Sequence, residues 1–212
     1  MNKVRFFYSK TGRAKYISHL DFIATMQRAV LRAGIKLKYS EGFNPHPYLS
    51  AALPLSVGCE SIYELMDVGT ENSMIPDKNK ITLPEGILVH DIYIPNRKFN
   101  DIAWIKINGS YRYSDGVKSD IIKKISEYYD NDNIIITKRT KRGVKELDIA
   151  PYIKDIMFDI SDDFIFFSAL ISAQNPVVNT GDLINVLPNE LKPEHSNFKR
   201  IELYDKNMVL FK

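Results

Sequence analysis

Cysteine is almost missing from this sequence, since Cys59 is the only one among 212 residues. A single thiol excludes an intramolecular disulfide, and it excludes iron–sulfur or zinc sites built from several cysteines. The apolar runs, such as residues 51–55 and 164–167, are far shorter than the roughly 20 residues that span a bilayer. The first residues also lack the apolar segment of a secretory signal. We therefore expect a cytoplasmic protein without a membrane partner.

The motifs of nucleotide-driven and hydrolytic enzymes are missing as well. The sequence contains no P-loop, no dinucleotide-binding glycine fingerprint and no GxSxG nucleophile elbow. Its metal-ligating residues lack the close spacing of a zinc signature such as HExxH. We predict no cofactor, no metal and no identifiable catalytic residue, and a metal assembled across the fold from His19, Asp21 and His46 stays an open alternative. The net charge of +3 does not indicate whether the protein binds nucleic acid, so local clusters of charge are more informative.

Periodicity predicts an α+β protein in which a βαββαβ pattern occurs twice. We expect two ferredoxin-like domains with antiparallel sheets, residues 1–97 and 98–212. In the first half we predict strands at 3–9, 35–39, 49–55, 63–68 and 86–94, a helix at 19–33 and a short helix at 71–80. In the second half we predict strands at 103–113, 133–138, 143–149, 164–171 and 199–204, with helices at 119–129 and 180–187.

The first predicted helix begins in a polar segment, Ser18 to Asp21. Ser18 fits an N-cap, and His19 would lie in the first turn, where free N–H groups favour an anion and disfavour an imidazolium. This segment could receive a phosphate, or it could be a plain capping turn. Arg28 and Arg32 would share another face of the same helix, one turn apart.

A stiff loop is predicted at Tyr39–Pro47. Proline residues follow Asn44 and His46, so the backbone around both side chains is restricted. Such a loop presents Phe43, Asn44 and His46 with little conformational entropy left to lose on binding. The alternative is a rigid turn between two strands.

Basic residues concentrate in KRTKRGVK, residues 138–145, where Arg139, Lys141 and Arg142 would occupy the tip of a hairpin. Such a tip could follow a phosphate backbone, or it could be a solvated turn. Further cations alternate with aromatic residues near the N-terminus, a pattern that suits stacking on unpaired RNA bases. These residues include Arg5, Arg13, Lys15, Phe7, Tyr8, Tyr16 and Tyr39.

The segments YSKTGRAKYISHLD, QRAVLRAGIKLKYSEGFNPHPYLSAALPLSVGCES and YELMDV resemble the radical-SAM-linked protein family, a domain of unknown function. The resemblance is strongest over the first 70 residues or so and includes Ser18, His19, Asp21, Arg28, Arg32, Phe43, Asn44 and His46. In that family the domain is fused to, or encoded beside, a cobalamin-binding radical SAM protein. The resemblance therefore implies such a protein as partner.

Together these features predict a substrate-presenting partner of a radical SAM enzyme that binds RNA or a ribosomal component and is not an enzyme on its own. Ser18, His19, Asp21, Arg28, Arg32, Phe43, Asn44 and His46 would form one nucleic-acid or anion-binding surface, with Arg139, Lys141 and Arg142 as a second. Two alternatives stay open. One is a metal-independent RNA-processing enzyme that uses His46 or His19, and the other is a module that binds only protein.

Overall fold

The computed structural model describes residues 2–72, 74–118, 120–140 and 143–212, without the side chains of residues 139 and 140. The described chain is a mixed α/β protein, mainly antiparallel sheet with three α-helices. It divides into two compact units. Unit 1 is Met1–Asp101 together with Lys212, and unit 2 is Ile102–Phe211. None of the helices in the described ranges is long and apolar enough to cross a membrane.

Unit 1 is built on a sheet in which β1 is flanked by β3 and β4. Its elements are β1 (Lys3–Lys10), α1 (His19–Arg32), β2 (Leu49–Ala51), β3 (Glu60–Gly69) and β4 (Ile87–Tyr93). β1 pairs antiparallel with both β3 and β4. β2 pairs antiparallel with the other edge of β3, at Met66, Asp67 and Val68. The strand order in this unit is therefore β4-β1-β3-β2.

Helix α1 packs on the face of β1 that carries Val4, Phe6 and Tyr8. The rings of Tyr8 and Phe22 stack with centroids 5.1 Å apart. Met26 and Val30, on the same side of the helix, belong to this buried core. Apolar residues at four-residue spacing thus give α1 one buried face, and the sheet supplies the surface that covers it.

Unit 2 has a complete βαββαβ path with an added hairpin. Its elements are β5 (Ile102–Arg112), α2 (Ile121–Tyr129), β6 (Ile135–Thr140), β7 (Gly143–Asp148), β8 (Ile153–Ser161), β9 (Phe164–Ser172), α3 (Thr180–Asn185) and β10 (His195–Asp205). The sheet has the order β10-β5-β9-β8, and each neighbouring pair is antiparallel. β6 and β7 form a separate two-stranded sheet.

One face of the unit 2 sheet packs against α2 and α3. Tyr111 and Phe167 contact each other on this face, with ring centroids 4.8 Å apart. The rings of Tyr129 in α2 and Phe158 pack with centroids 5.9 Å apart. The Tyr129 hydroxyl donates to the carbonyl of Leu183 in α3. Helix α2 is therefore joined to the sheet through aromatic rings, and α3 is joined to α2 through this hydrogen bond.

Several predicted elements are wrong in detail. The helix expected at 71–80 is replaced by a 3-10 turn at Lys78–Lys80, because none of the described residues of that segment is buried enough to hold a helix to the sheet. The strand expected at 35–39 makes only isolated bridges, at Leu37 and Tyr39. The strands expected at 133–138 and 143–149 are confirmed as the antiparallel pair β6 and β7, but they form a sheet of their own and do not supply the strands of the βαββαβ path. The strand β8 was not predicted.

Candidate functional site

The start of α1 is fixed by two side chains. The Ser18 hydroxyl accepts from the Asp21 backbone N–H at 3.2 Å and donates to the Asp21 carboxylate at 2.7 Å. One residue earlier, the carbonyl of Ile17 accepts from Nζ of Lys10 at 2.6 Å. Burial lowers the pKa of Lys10, and the negative charge of Glu64 opposes that shift. The predicted N-cap is confirmed, and His19 lies exposed in the first turn of the helix.

The loop at Tyr39–Pro47 is closed by its own hydrogen bonds. Tyr39 and Pro47 form a β-bridge. Inside that bridge the Ser40 N–H donates to the His46 carbonyl at 2.8 Å, and the His46 N–H donates to Oγ of Ser40 at 2.9 Å. The loop backbone is therefore closed by local contacts that satisfy its own polar groups.

The side chains of the closed loop point into solvent. Phe43 is fully exposed, and Glu41, Asn44 and His46 are exposed as well. The ring of Phe43 therefore adds little buried apolar area to the fold and is accessible to a ligand.

A groove of about 390 Å³ lies beside the end of the loop. Tyr48 and Ser50 form one wall, and Lys98 and Asn100 form the other. Lys3 also lines the groove, with its Nζ 2.8 Å from the Asp67 carboxylate. Two lysines and a tyrosine in one groove offer cationic and hydrogen-bonding groups to an anion.

Asp67, at the base of this groove, belongs to a buried ion pair. Arg5 is completely buried, and its Nε and Nη2 lie 2.6 and 3.1 Å from the two oxygens of Asp67. The guanidinium also donates to the carbonyl of Arg97 at 2.9 Å and lies 4.2 Å from the ring centre of Phe99. Arg5 thus fixes the segment that forms one wall of the groove.

Some of the cations and rings expected to contact RNA are structural. Arg5 and Tyr8 are buried, and Phe7 packs against Tyr63 with ring centroids 4.6 Å apart. Only part of the predicted stacking set therefore reaches solvent, including Tyr16, which is exposed. Alternating strand residues point to opposite sides, and in β1 both sides are covered.

The two helix arginines lie on the exposed surface of α1 but bond to different parts of the unit. Nε of Arg28 donates to the carbonyl of Ala24 in its own helix at 3.1 Å. Nη2 of Arg32 donates to the carbonyl of Thr82 at 3.1 Å. Within the described part of the chain, no hydrogen bond or ion pair joins either arginine to His19 or His46, so a single cleft of these groups stays a prediction.

The basic hairpin is described only in part. Lys141, Arg142 and the side chain of Arg139 lie outside the described residues. Lys138 is held by the fold, since its Nζ donates to the Val177 carbonyl and lies 3.2 Å from the Asp182 carboxylate. Its charge is therefore partly neutralised within unit 2.

Within the described ranges, no group of three His, Cys, Asp or Glu side chains is arranged to bind a metal ion.

The groove lined by Lys3, Tyr48 and Lys98 was not predicted from the sequence. The sequence feature that could have indicated this groove is Asp67 in the apolar strand YELMDV, because a carboxylate in a buried strand requires a cationic partner. The partner, Arg5, could be identified only from the pairing of β1 with β3.

Comparison with solved structures shows fold likeness at low sequence identity. A chain of a Cbf5-Nop10-Gar1 complex matches with a TM-score of 0.52 and 11% identity over 93% of this chain and 49% of that one. A chain of an archaeal box H/ACA sRNP Nop10-Cbf5 complex matches with a TM-score of 0.44 and 9% identity, covering 93% of this chain and 46% of that one. This chain thus spans about half the length of those it matches.

Comparison with curated proteins finds no match. A family model, in contrast, matches residues 3–180 and so includes both candidate segments, Ser18 to Asp21 and Tyr39 to Pro47. This match covers well over half of the chain. The chain therefore belongs to the family described as an uncharacterized protein conserved in bacteria, DUF2344.

Proposed function

We propose that this chain is an RNA-binding protein, non-catalytic on its own, that presents RNA or a ribosomal component to a cobalamin-binding radical SAM protein in the cytoplasm. The observation that carries the RNA-binding part is the loop at Tyr39–Pro47, which is closed by its own bonds while Phe43, Asn44 and His46 are exposed. The radical SAM partner is supported by the sequence resemblance alone.

The loop suits an unpaired base. Phe43 can stack on a base, and the amide of Asn44 and the imidazole of His46 can bond to base edges or phosphate. Lys3 and Lys98 in the adjacent groove supply positive charge for the phosphate backbone. Because the loop is already ordered, little entropy is lost when RNA binds.

We also propose that units 1 and 2 are two ferredoxin-like domains. The order β10-β5-β9-β8 with antiparallel neighbours supports this for unit 2. The order β4-β1-β3-β2 supports it for unit 1, in which a 3-10 turn stands in the place of the second helix.

RNA binding can be tested by a mobility-shift titration of the full chain with labelled single-stranded RNA at about 50 and 200 mM salt. We expect binding that weakens at the higher salt. Phe43→Ala should weaken it about 10-fold, which corresponds to the loss of one stacked base. Val57→Ala is the matched control, because Val57 is an exposed apolar residue of the same unit outside the loop. Absence of binding at low salt would overturn the proposal.

The same RNA distinguishes binding from cleavage. We expect the labelled RNA to stay intact during long incubation with the wild-type protein and with His46→Ala. Cleavage that is lost in His46→Ala would instead assign an RNA-processing activity to the loop.

Co-purification of this chain with the radical SAM protein tests the proposed partner. Loss of co-purification in Arg28→Glu would show that α1 contributes to that contact.

A further inference from the structure

The unit 2 sheet has a second face that α2 and α3 do not cover. In β9, Ile165 and Phe167 are buried on the helix side, whereas Phe166 between them is 45% exposed. In β5, Tyr111 is buried and its neighbour Arg112 is exposed. The alternation of buried and exposed residues shows which side chains form this open face.

Two rows of side chains cross the open face from β10 through β5 to β9. Residues opposite one another in antiparallel strands lie side by side, and those two positions apart share a face. The pairing therefore places a row that contains an arginine and a histidine next to a row that contains an amide and a hydroxyl, and each row ends in a phenylalanine. The rows are His195, Arg112 and Phe164, and then Asn197, Ser110 and Phe166.

The two phenylalanines form a platform beside a cation. Phe164 and Phe166 lie nearly parallel, with centroids 5.7 Å apart and an interplanar angle of 20°. The Arg112 guanidinium lies 5.9 Å from the ring centre of Phe164. Phe166 is exposed and Phe164 is half-buried, so the pair is neither a covered core nor a plain charged surface without rings.

A shallow groove of about 280 Å³ adjoins Phe166. Its lining includes Asn108, Ser168 and the carboxylate of Asp159. These groups provide both donors and acceptors beside an exposed ring. A planar heteroaromatic ring can therefore stack on Phe166 and form hydrogen bonds along its edge in the groove.

We propose that the open face binds single-stranded RNA, with Phe164 and Phe166 stacking on two bases and Arg112 contacting a phosphate. This inference rests on the proposed function and adds a second contact surface to it. Unpaired bases are the ligand that matches exposed rings, donors, acceptors and a cation on a flat sheet. Double-stranded RNA does not match, because its bases are stacked inside the helix.

The test is fluorescence anisotropy of a labelled single-stranded RNA of about ten nucleotides with the full chain, a length long enough to cover both phenylalanines and Arg112. Phe166→Ala is expected to weaken binding about 10-fold, and the Phe164→Ala, Phe166→Ala double variant about 100-fold. Phe166→Tyr should restore affinity, whereas Phe166→Leu should not, because the leucine is apolar but cannot stack. Val209→Ala is the matched control, because Val209 is an exposed apolar residue of unit 2 outside both the open face and the basic hairpin.

Arg112→Ala should lower the slope of log affinity against log salt by about one. Circular dichroism should show that each variant keeps the fold, because the ring of Phe166 is only half buried. A double-stranded RNA of the same sequence should compete poorly, and an acidic peptide should not compete. Equal competition by the acidic peptide would overturn the inference, because the face would then recognise protein.

The outcomes also separate this inference from the proposed function. If the wild type binds RNA and Phe43→Ala weakens it while the double variant binds normally, the open face is not a binding site and the proposed function stands. If the wild type binds no RNA at low salt, both are overturned. If the double variant alone loses binding, the open face is the principal site.

Discussion

The two units share an antiparallel strand order but treat the second face of the sheet in opposite ways. In unit 1 this face holds Arg5, which is buried against Asp67 and Phe99. In unit 2 the corresponding side of the central strands exposes Phe166. One unit thus uses buried charge to fix the segment that carries Lys98 and Asn100 beside the groove, and the other leaves an aromatic ring in solvent. The comparison indicates that the same framework supports two kinds of surface.

Removal of the buried carboxylate should give the largest effect. Asp67→Ala leaves the charge of Arg5 buried without its main partner, so we expect a loss of about 3–5 kcal/mol in the free energy of unfolding. Urea unfolding followed by circular dichroism measures it. Asp91→Ala is the matched control, because its 3.0 Å pair with Lys212 is exposed and should contribute at most about 1 kcal/mol. Equal losses in both variants would show that the Arg5 pair is no stronger than a surface pair.

Neighbouring phenylalanines of β9 give the next test, because they point to opposite faces. Phe167 is 5% exposed, and Phe167→Ala should cost about 3–5 kcal/mol of unfolding free energy. Phe166→Ala should cost about 1 kcal/mol or less, since much of its ring is already in water. Both values follow from urea titrations under the same conditions. A large loss in Phe166→Ala would mean that the second face of unit 2 is packed.

Alkaline pH should destabilise unit 2 through Tyr113. Its hydroxyl donates to the Leu191 carbonyl at 2.7 Å, and burial raises the pKa of Tyr113 to about 12. An unfolded tyrosine ionises near pH 10, so the folded state keeps a proton that the unfolded state releases. The associated stability is complete below about pH 10 and is lost as pH rises toward 12, by roughly 2 kcal/mol.

Tyr113→Phe removes this ionisation. We expect the variant to lose less stability than the wild type between pH 9 and pH 11, as measured by urea midpoints at the two values. Absorbance at the tyrosinate band should show that one tyrosine fewer ionises in the variant at high pH. Identical pH profiles for the two proteins would contradict a raised pKa at this position.

The residues that precede α1 and α2 should contribute differently to the free energy of unfolding, and this difference should be smaller than the effects above. Ser18 caps α1 through its hydroxyl, so Ser18→Ala should lower the unfolding free energy by about 1 kcal/mol. Asp120 occupies the same position before α2 but makes no side-chain cap bond, and it pairs with Lys124 instead. Asp120→Ala should therefore change the urea midpoint less than Ser18→Ala. The reverse order would show that the Ser18 bond is not used in solution.

Strongly periodic segments were predictable, and short ones were not. The helix predicted at 19–33 and its Ser18 cap are confirmed at His19–Arg32. The strand β8 was missed because the apolar and polar residues of its sequence, IKDIMFDIS, do not alternate regularly, and its pairing with β9 contains an irregularity between Lys154 and Met157. The 133–149 region was correctly predicted as strands, but whether two strands join the main sheet depends on contacts far along the chain.

The sequence alone determined the chemistry of the exposed loop at Tyr39–Pro47, because proline, glycine and local hydrogen bonds act within a few residues. Tertiary structure decided which charged and aromatic residues remain available. Arg5 and Phe166 each lie in a strand with aromatic neighbours, and only strand pairing and helix placement bury one and expose the other. The physical reason is that the local pattern sets which side of a strand a residue occupies, whereas burial depends on what packs against that side.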